Sequence, residues 1–422
     1  MRRARARTAA LLTAAALPLA ACHGDDEATA GGDTAPDSAA GPVTSSSPTD
    51  SAAPSSTPPS ASAAGSSAAP STAAPASAAE QVDAAIAGMT REQQIAQLFV
   101  VGIPLEDVHQ GDALAEQQPG GIFLAGRSQL AADDLAGLTA AWQEAAGTTG
   151  LWIAVDQEGG NVQTLSGPGF AELPTAVEQG RLPEAQLEAL ADGLGASLDR
   201  AGINLDLAPV ADVVPAGTEQ SNQPIGVYGR EYGSTADEVA AAAEVVVDGL
   251  AAHGVTAVFK HFPGLGRVRG NTDTSDEVVD PDTQPDDASV GVFARLAEGA
   301  DAPPFVMTSS AVYPAIDRSE PAGWSAEVVD GLLRGQLGFD GVVISDDVGA
   351  AAAVQDVPPG ERAVRCLDAG GTLVLTVDRT LYPEMLAAVM DRDRTDDAFR
   401  IRVDAAVRTA LLAKAEAGLL AP

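Results

Sequence analysis

Eight short apolar runs, separated by segments long enough to be helices, limit what this chain can fold into. They fall at residues 98–103, 121–124, 151–155, 203–207, 255–259, 304–307, 342–344 and 372–375. Their length and β-branched content are those of strands buried on both faces of a parallel sheet. The intervening segments carry helix signals. Thr235 and Glu238 have capping-box spacing, Val239, Ala243, Val246 and Leu250 mark one apolar face, and Gly254 closes it. Ser325 can cap a helix running through Leu333 and Leu337 to Gly338, and residues 81–97 read as one further helix. Eight alternating strands and helices predict an α/β fold of the (β/α)8 TIM-type barrel, in a single catalytic domain over 81–422. A doubly wound open sheet is the alternative, and it needs fewer strands or a second domain.

The first 80 residues have a different texture. Arginines at 2, 3, 5 and 7 precede an apolar stretch through Leu17, and the stretch ends at Leu19-Ala20-Ala21-Cys22. That order is a secretory signal over 1–22, too short in its apolar part to span a bilayer. Its end resembles a bacterial lipobox, which implies lipidation at Cys22 and an extracytoplasmic location on the cell membrane. Residues 23–80 are mostly Ala, Ser, Thr, Pro and Gly, a tether with too little apolar surface to offset the entropy of ordering. With Cys22 lipidated, Cys366 has no disulfide partner and reads as a small buried hydrophobe. The net charge is −35, and residues 1–80 hold only seven acids against four arginines. So acidic a domain argues against nucleic acid and anionic lipid headgroups as partners, and the protein is expected to be a monomer.

In a barrel of this kind the chemistry sits just after the strands, on the C-terminal face. Polar groups stand there after five of the runs. Asp156-Gln157-Glu158 follows the third, Asp206 and Asp212 the fourth, and Lys260-His261 the fifth; Thr308-Ser309-Ser310 follows the sixth and Ser345-Asp346-Asp347 the seventh. Lys260 is one of two lysines in the chain, Lys414 being the other. Carboxylates with Lys, His and Arg suit a saccharide, whose hydroxyls need fixed acceptors and charged donors. Glycoside hydrolysis adds one ionised carboxylate and one proton donor. Asp346, at the mouth of a buried strand among basic neighbours, is the better nucleophile candidate. A lysine at a strand end also suits Schiff-base chemistry, which keeps a barrel lyase open. No phosphate loop, Cys/His cluster or nucleotide fingerprint is visible, so no cofactor or metal is expected.

These stretches resemble glycoside hydrolase family 3, in its single-barrel β-N-acetylglucosaminidase branch. Lys260-His261-Phe262-Pro263-Gly264 is similar to the family's lysine-histidine stretch, 338–347 to its nucleophile stretch, and 156–160 to its early acid stretch; 207–212 and 229–233 add support. The resemblance implies that Asp346 forms a covalent glycosyl-enzyme while Asp156, Arg230, Lys260 and His261 hold the non-reducing-end sugar, on cell-wall-derived glycans. The chain also departs from that pattern. The branch uses a histidine as acid/base, paired with an aspartate on the loop after the fifth strand. Here the histidines stand at 23, 109, 253 and 261, and the usual Pro-Gly-His-Gly reads Pro263-Gly264-Leu265-Gly266. Asn161 replaces an arginine, and Ser309-Ser310 stands where a histidine often follows the sixth strand. Asp273, with Asp276 and Glu277 beside it, is the substitute acid/base to test, since burial can raise a carboxyl pKa far enough to donate a proton. Without such an acid, the same fold would be a saccharide-binding lipoprotein with weak turnover or none.

Overall fold

The structure is a computed structural model and describes residues 77–299 and 304–420. The signal, nearly all of the tether and Cys22 lie outside the described residues. Each of the eight runs forms a strand: β1 (Phe99–Pro104), β2 (Gly121–Ala125), β3 (Trp152–Val155), β4 (Leu205–Asp206), β5 (Thr256–Phe262), β6 (Phe305–Thr308), β7 (Val343–Ser345) and β8 (Val374–Thr376). Neighbours pair in parallel in the order β7-β6-β5-β4-β3-β2-β1-β8. The ends then meet. Ile344 bridges Leu373, the Ser345 amide donates to Leu373 O at 2.9 Å, and the Leu373 amide donates to Val343 O at 2.9 Å. The sheet is therefore a closed ring, and the open-sheet alternative falls.

Side chains fill the ring. Trp152 of β3 meets Phe305 of β6 across the interior, ring centroids 5.1 Å apart and nearly perpendicular. Two residues further along β6, Met307 joins Phe123, Leu207 and Leu375 to floor a cavity at the C-terminal mouth. Outside, helices follow the strands, and their Ala and Gly content lets them approach closely. A Cβ on Gly249 would lie 2.5 Å from Ala191 Cβ, so the helices Glu184–Arg200 and Ala236–Ala251 touch nearly backbone to backbone. The capping box is present, with Glu238 N donating to Thr235 Oγ1 at 3.3 Å and Thr235 N to Glu238 Oε2 at 3.1 Å. Ser325 Oγ accepts from Val328 N at 3.2 Å, but the helix it opens, Glu327–Gln336, has π spacing, as in the 2.9 Å bond from Leu337 N to Leu332 O.

One expectation near the N-terminus needs correction. The single helix over 81–97 is two, Ala78–Gly88 and Arg91–Ala96, because Ser77 with Glu80 and Thr90 with Gln93 each form a capping box. Lys414, on the last helix Asp397–Glu416, is fully buried beneath the barrel. Its ammonium donates to Gln97 Oε1 at 2.6 Å, Gly150 O at 2.7 Å and Thr149 O at 3.1 Å, acceptors that just precede β1 and β3. Burial pushes its pKa down to about 7. Cys366 is buried in the helix Pro359–Asp368, and burial raises its thiol to about 12.

Candidate active site

The cavity at the C-terminal mouth measures about 250 Å³. Asp156, Arg230, Lys260, His261, Asp273 and Asp346 all line it, so the residues picked out along the sequence come together. Lys260 and His261 close β5, and both side chains reach the same pocket across a cis peptide.

Lys260 Nζ lies 2.5 Å from Asp156 Oδ1 and 2.6 Å from Glu158 Oε1. Arg230 grips the same Glu158 with two bonds, Nε to Oε2 at 2.8 Å and Nη2 to Oε1 at 2.7 Å, and donates a third to Pro224 O at 2.8 Å. Burial works against charge on Glu158, but Arg230 and Lys260 override it and hold the carboxyl down at about 2. Burial likewise works against the Lys260 ammonium, and Asp156 and Glu158 outweigh it, keeping its pKa above the ordinary lysine value. A Schiff base needs a neutral amine, so this clamp argues against the lyase. Asp156 is itself held from behind, its carbonyl accepting from Thr164 N at 3.1 Å and Thr164 Oγ1 at 2.8 Å.

Asp212, fully buried, orders the other side of the pocket. It accepts from His261 Nδ1 at 2.7 Å, His261 N at 3.2 Å and Leu265 N at 2.6 Å. The bond at Nδ1 leaves Nε2 as the free edge of the ring. Leu265, at the position of the expected histidine, contributes an apolar wall. Buried Asn222 ties this loop down through Leu265 O at 2.7 Å and Val268 O at 2.9 Å.

Asp346 follows β7. Enclosure by the pocket pushes its carboxyl up to about 6, against the pull of His261 and with the help of Asp273. Its neighbour Asp347 has a different task, accepting from Gly349 N, Ala350 N and Val377 N, each at 2.8 Å, which fixes the loops after β7 and β8. Asp273 is exposed at the rim; backbone bonds from Ala352 N to its carbonyl, 3.2 Å, and from Ala353 N to Thr272 O, 3.0 Å, hold its loop over Asp346. Asp276 and Glu277 are exposed and do not line the cavity. Ser309 is bonded to Tyr313 Oη at 2.9 Å, and Asn161 points its amide at Tyr228 O, 3.4 Å away. Neither lines the cavity.

Sequence reasoning left Glu158, Asp212 and Asp206 without roles. Glu158 is the hub of the Lys260-Arg230 clamp. Asp206 lies beneath it with no exposure: Oδ1 accepts from Gln157 N at 3.0 Å, and Oδ2 has no partner. The available signal was that Glu158 and Asp212 both stand within the strand-end stretches that supplied the other candidates.

A closed parallel barrel with paired carboxylates, lysine and histidine at its C-terminal mouth defines a barrel glycosidase. Residues 90–409 match the glycosyl hydrolase family 3 N-terminal domain, and the chain belongs to that family of enzymes acting on O-glycosyl bonds. It is similar to a β-N-acetylhexosaminidase from Beutenbergia cavernae, 48% identical with a TM-score of 0.74, over 77% of this chain and 98% of that one. A family 3 β-N-acetylglucosaminidase from Paenibacillus is 29% identical with a TM-score of 0.70, over 79% and 64%. A β-hexosaminidase of Xylella fastidiosa strain M23 is 36% identical over 291 residues, 67% of this chain and 83% of that protein.

Proposed function

We propose that this protein is a retaining β-N-acetylhexosaminidase that removes non-reducing-end sugars from cell-wall-derived glycans, tethered to the outer face of the cell membrane by a lipid on Cys22. The observation that carries the reading is the convergence of Asp156, Arg230, Lys260, His261, Asp273 and Asp346 on one small cavity. Its volume falls below the roughly 300–1,000 Å³ of sites for drug-sized ligands, which suits a single pyranose. Asp156, Lys260 and the free edge of His261 bind hydroxyls, and Arg230 acts by holding Glu158 and through it Lys260. Asp346 attacks the anomeric carbon and forms a glycosyl ester while the leaving oxygen takes a proton from Asp273. Water then attacks the ester, gives its proton to Asp273 and frees Asp346.

Hydrolysis of nitrophenyl glycosides by the wild type and two variants tests this. Asp346→Asn should lose roughly 10⁴- to 10⁶-fold in kcat, as loss of a nucleophile does elsewhere. Asp273→Asn should lose about 10²- to 10⁴-fold on poor leaving groups and much less on activated ones. A fluorinated glycoside should leave its label on Asp346. Full activity in Asp346→Asn would sink the mechanism. The exposure of Asp273 at the rim favours one second reading, since little encloses it against a leaving oxygen: a saccharide-binding protein of the same fold, which sugars stabilise thermally without turnover.

A further inference from the structure

The proposed nucleophile and proton donor stand on different loops, Asp346 after β7 and Asp273 after β5. A retaining glycosidase needs its two carboxyl groups about 5–5.5 Å apart, so the two loops have to be held in register. Residues 347–358, between β7 and the helix Pro359–Asp368, are placed to do this.

The segment begins beside the nucleophile, and its short 3-10 turn Ala352–Val354 meets the loop after β5. There Ala352 N donates to the Asp273 carbonyl and Ala353 N to the Thr272 carbonyl. Such a turn fixes its neighbour only if it is fixed itself. Arg362, in the first turn of the following helix and only 3% exposed, supplies the fixing. Its Nη1 donates to Val348 O at 2.8 Å and Gly349 O at 3.0 Å, and its Nε to Val357 O at 2.7 Å. Its Nη2 donates to Gln355 Oε1 at 3.2 Å and Gln355 O at 3.4 Å. Gln355 Nε2 donates in turn to Gly349 O at 2.9 Å and Ala351 O at 3.0 Å. Carbonyls from both ends of the segment therefore meet on one guanidinium, whose donors form a rigid planar fork. Burying that charge away from water is costly. Among the described residues, every hydrogen bond Arg362 makes goes to this segment, so the charge is committed to the segment's shape.

We propose that Arg362 is a positioning residue for the glycosidase reaction: it fixes residues 348–357, and the amides of Ala352 and Ala353 then hold Asp273 opposite Asp346. Arg362 does not line the sugar cavity, so it acts only through this segment. The inference rests on the reading of Asp273 as the proton donor.

Steady-state kinetics of the full protein test it, with nitrophenyl glycosides as activated substrates and phenyl glycosides as poor ones. Arg362→Lys keeps the charge and loses the fork. Ala352→Pro removes the amide donated to Asp273 O at a place that accepts proline, the first residue of a 3-10 turn after Ala351 in extended backbone (φ −57°, ψ 132°). Each should lower kcat on phenyl glycosides about tenfold or more, part of the 10²- to 10⁴-fold that acid assistance supplies, and change nitrophenyl glycosides far less. In an Asp273→Asn background neither should cost anything further on phenyl glycosides, because the donor they position is gone. Thermal melting checks folding; if Arg362→Lys fails to fold, Gln355→Met, which removes a partner of Arg362 and the ties to Gly349 and Ala351, takes its place. Wild-type rates on phenyl glycosides in the folded variants, equal losses on both substrates, or losses that multiply with Asp273→Asn would overturn the proposal and leave Asp273 as donor. Full activity of Asp273→Asn on phenyl glycosides would instead remove the donor itself, and the proposal with it.

Discussion

At the scale of single residues, protonation decides what the pocket can do. Asp346 must be ionised to attack, and enclosure places its carboxyl at about 6. The rate constant kcat/KM should therefore fall about tenfold per unit as pH drops below 6. A profile flat down to pH 4 would show that Asp346 ionisation does not limit the reaction. Asp206 works in the opposite sense. Burial raises it from 3.8 to about 8, so over that window the native state keeps a proton that the unfolded chain has released. Stability then falls as pH rises through the window, and the penalty is complete above the folded value. Asp206→Asn, which cannot ionise, should gain roughly 1–3 kcal/mol over the wild type in urea unfolding near pH 8, with the gain shrinking toward pH 4. Asp156, Lys260, His261 and Asp346 could be read from the sequence because each stands at the end of a buried apolar run. Glu158 could not. Its neighbours in sequence look like a solvated turn, and its role comes from Arg230, 72 positions away.

At the scale of elements, the loop after β5 carries the site, and small residues set its path. A Cβ on Gly266 would lie 1.9 Å from Val213 O, inside backbone that cannot give way. Gly266→Ala should push the loop outward, carrying Leu265 and Asp273 with it. The expected outcome is a rise in KM and a fall in kcat on nitrophenyl glycosides, with less than full loss of fold by circular dichroism. Wild-type kinetics would mean that the loop tolerates displacement without moving the pocket. The strands and capped helices were legible because local chemistry defines them, as Thr235 and Glu238 show. The π spacing of Glu327–Gln336 was not legible, since its apolar residues fit an ordinary helical face.

For the whole molecule, closure of the barrel was the least legible property. Eight runs can be counted, but the bridge between Ile344 and Leu373 joins the two ends of a sheet whose order no local pattern encodes. The proposed anchor belongs to this scale as well. A chain with a net charge of −35 has no electrostatic attraction to anionic lipid, so the proposed attachment rests on Cys22 alone. Cys22→Ser should move the protein from the membrane fraction to the soluble one at any ionic strength. Retention in the membrane fraction would place the anchor elsewhere.

The buried amine of Lys414 carries a consequence for how the chain is made. Its three acceptors lie at residues 97, 149 and 150, yet the residue that satisfies them emerges from the ribosome 264 to 317 residues later. The bottom of the cylinder stays unplugged until the helix Asp397–Glu416 docks, so a nascent chain stalled earlier presents an unfinished base rather than a smaller working enzyme.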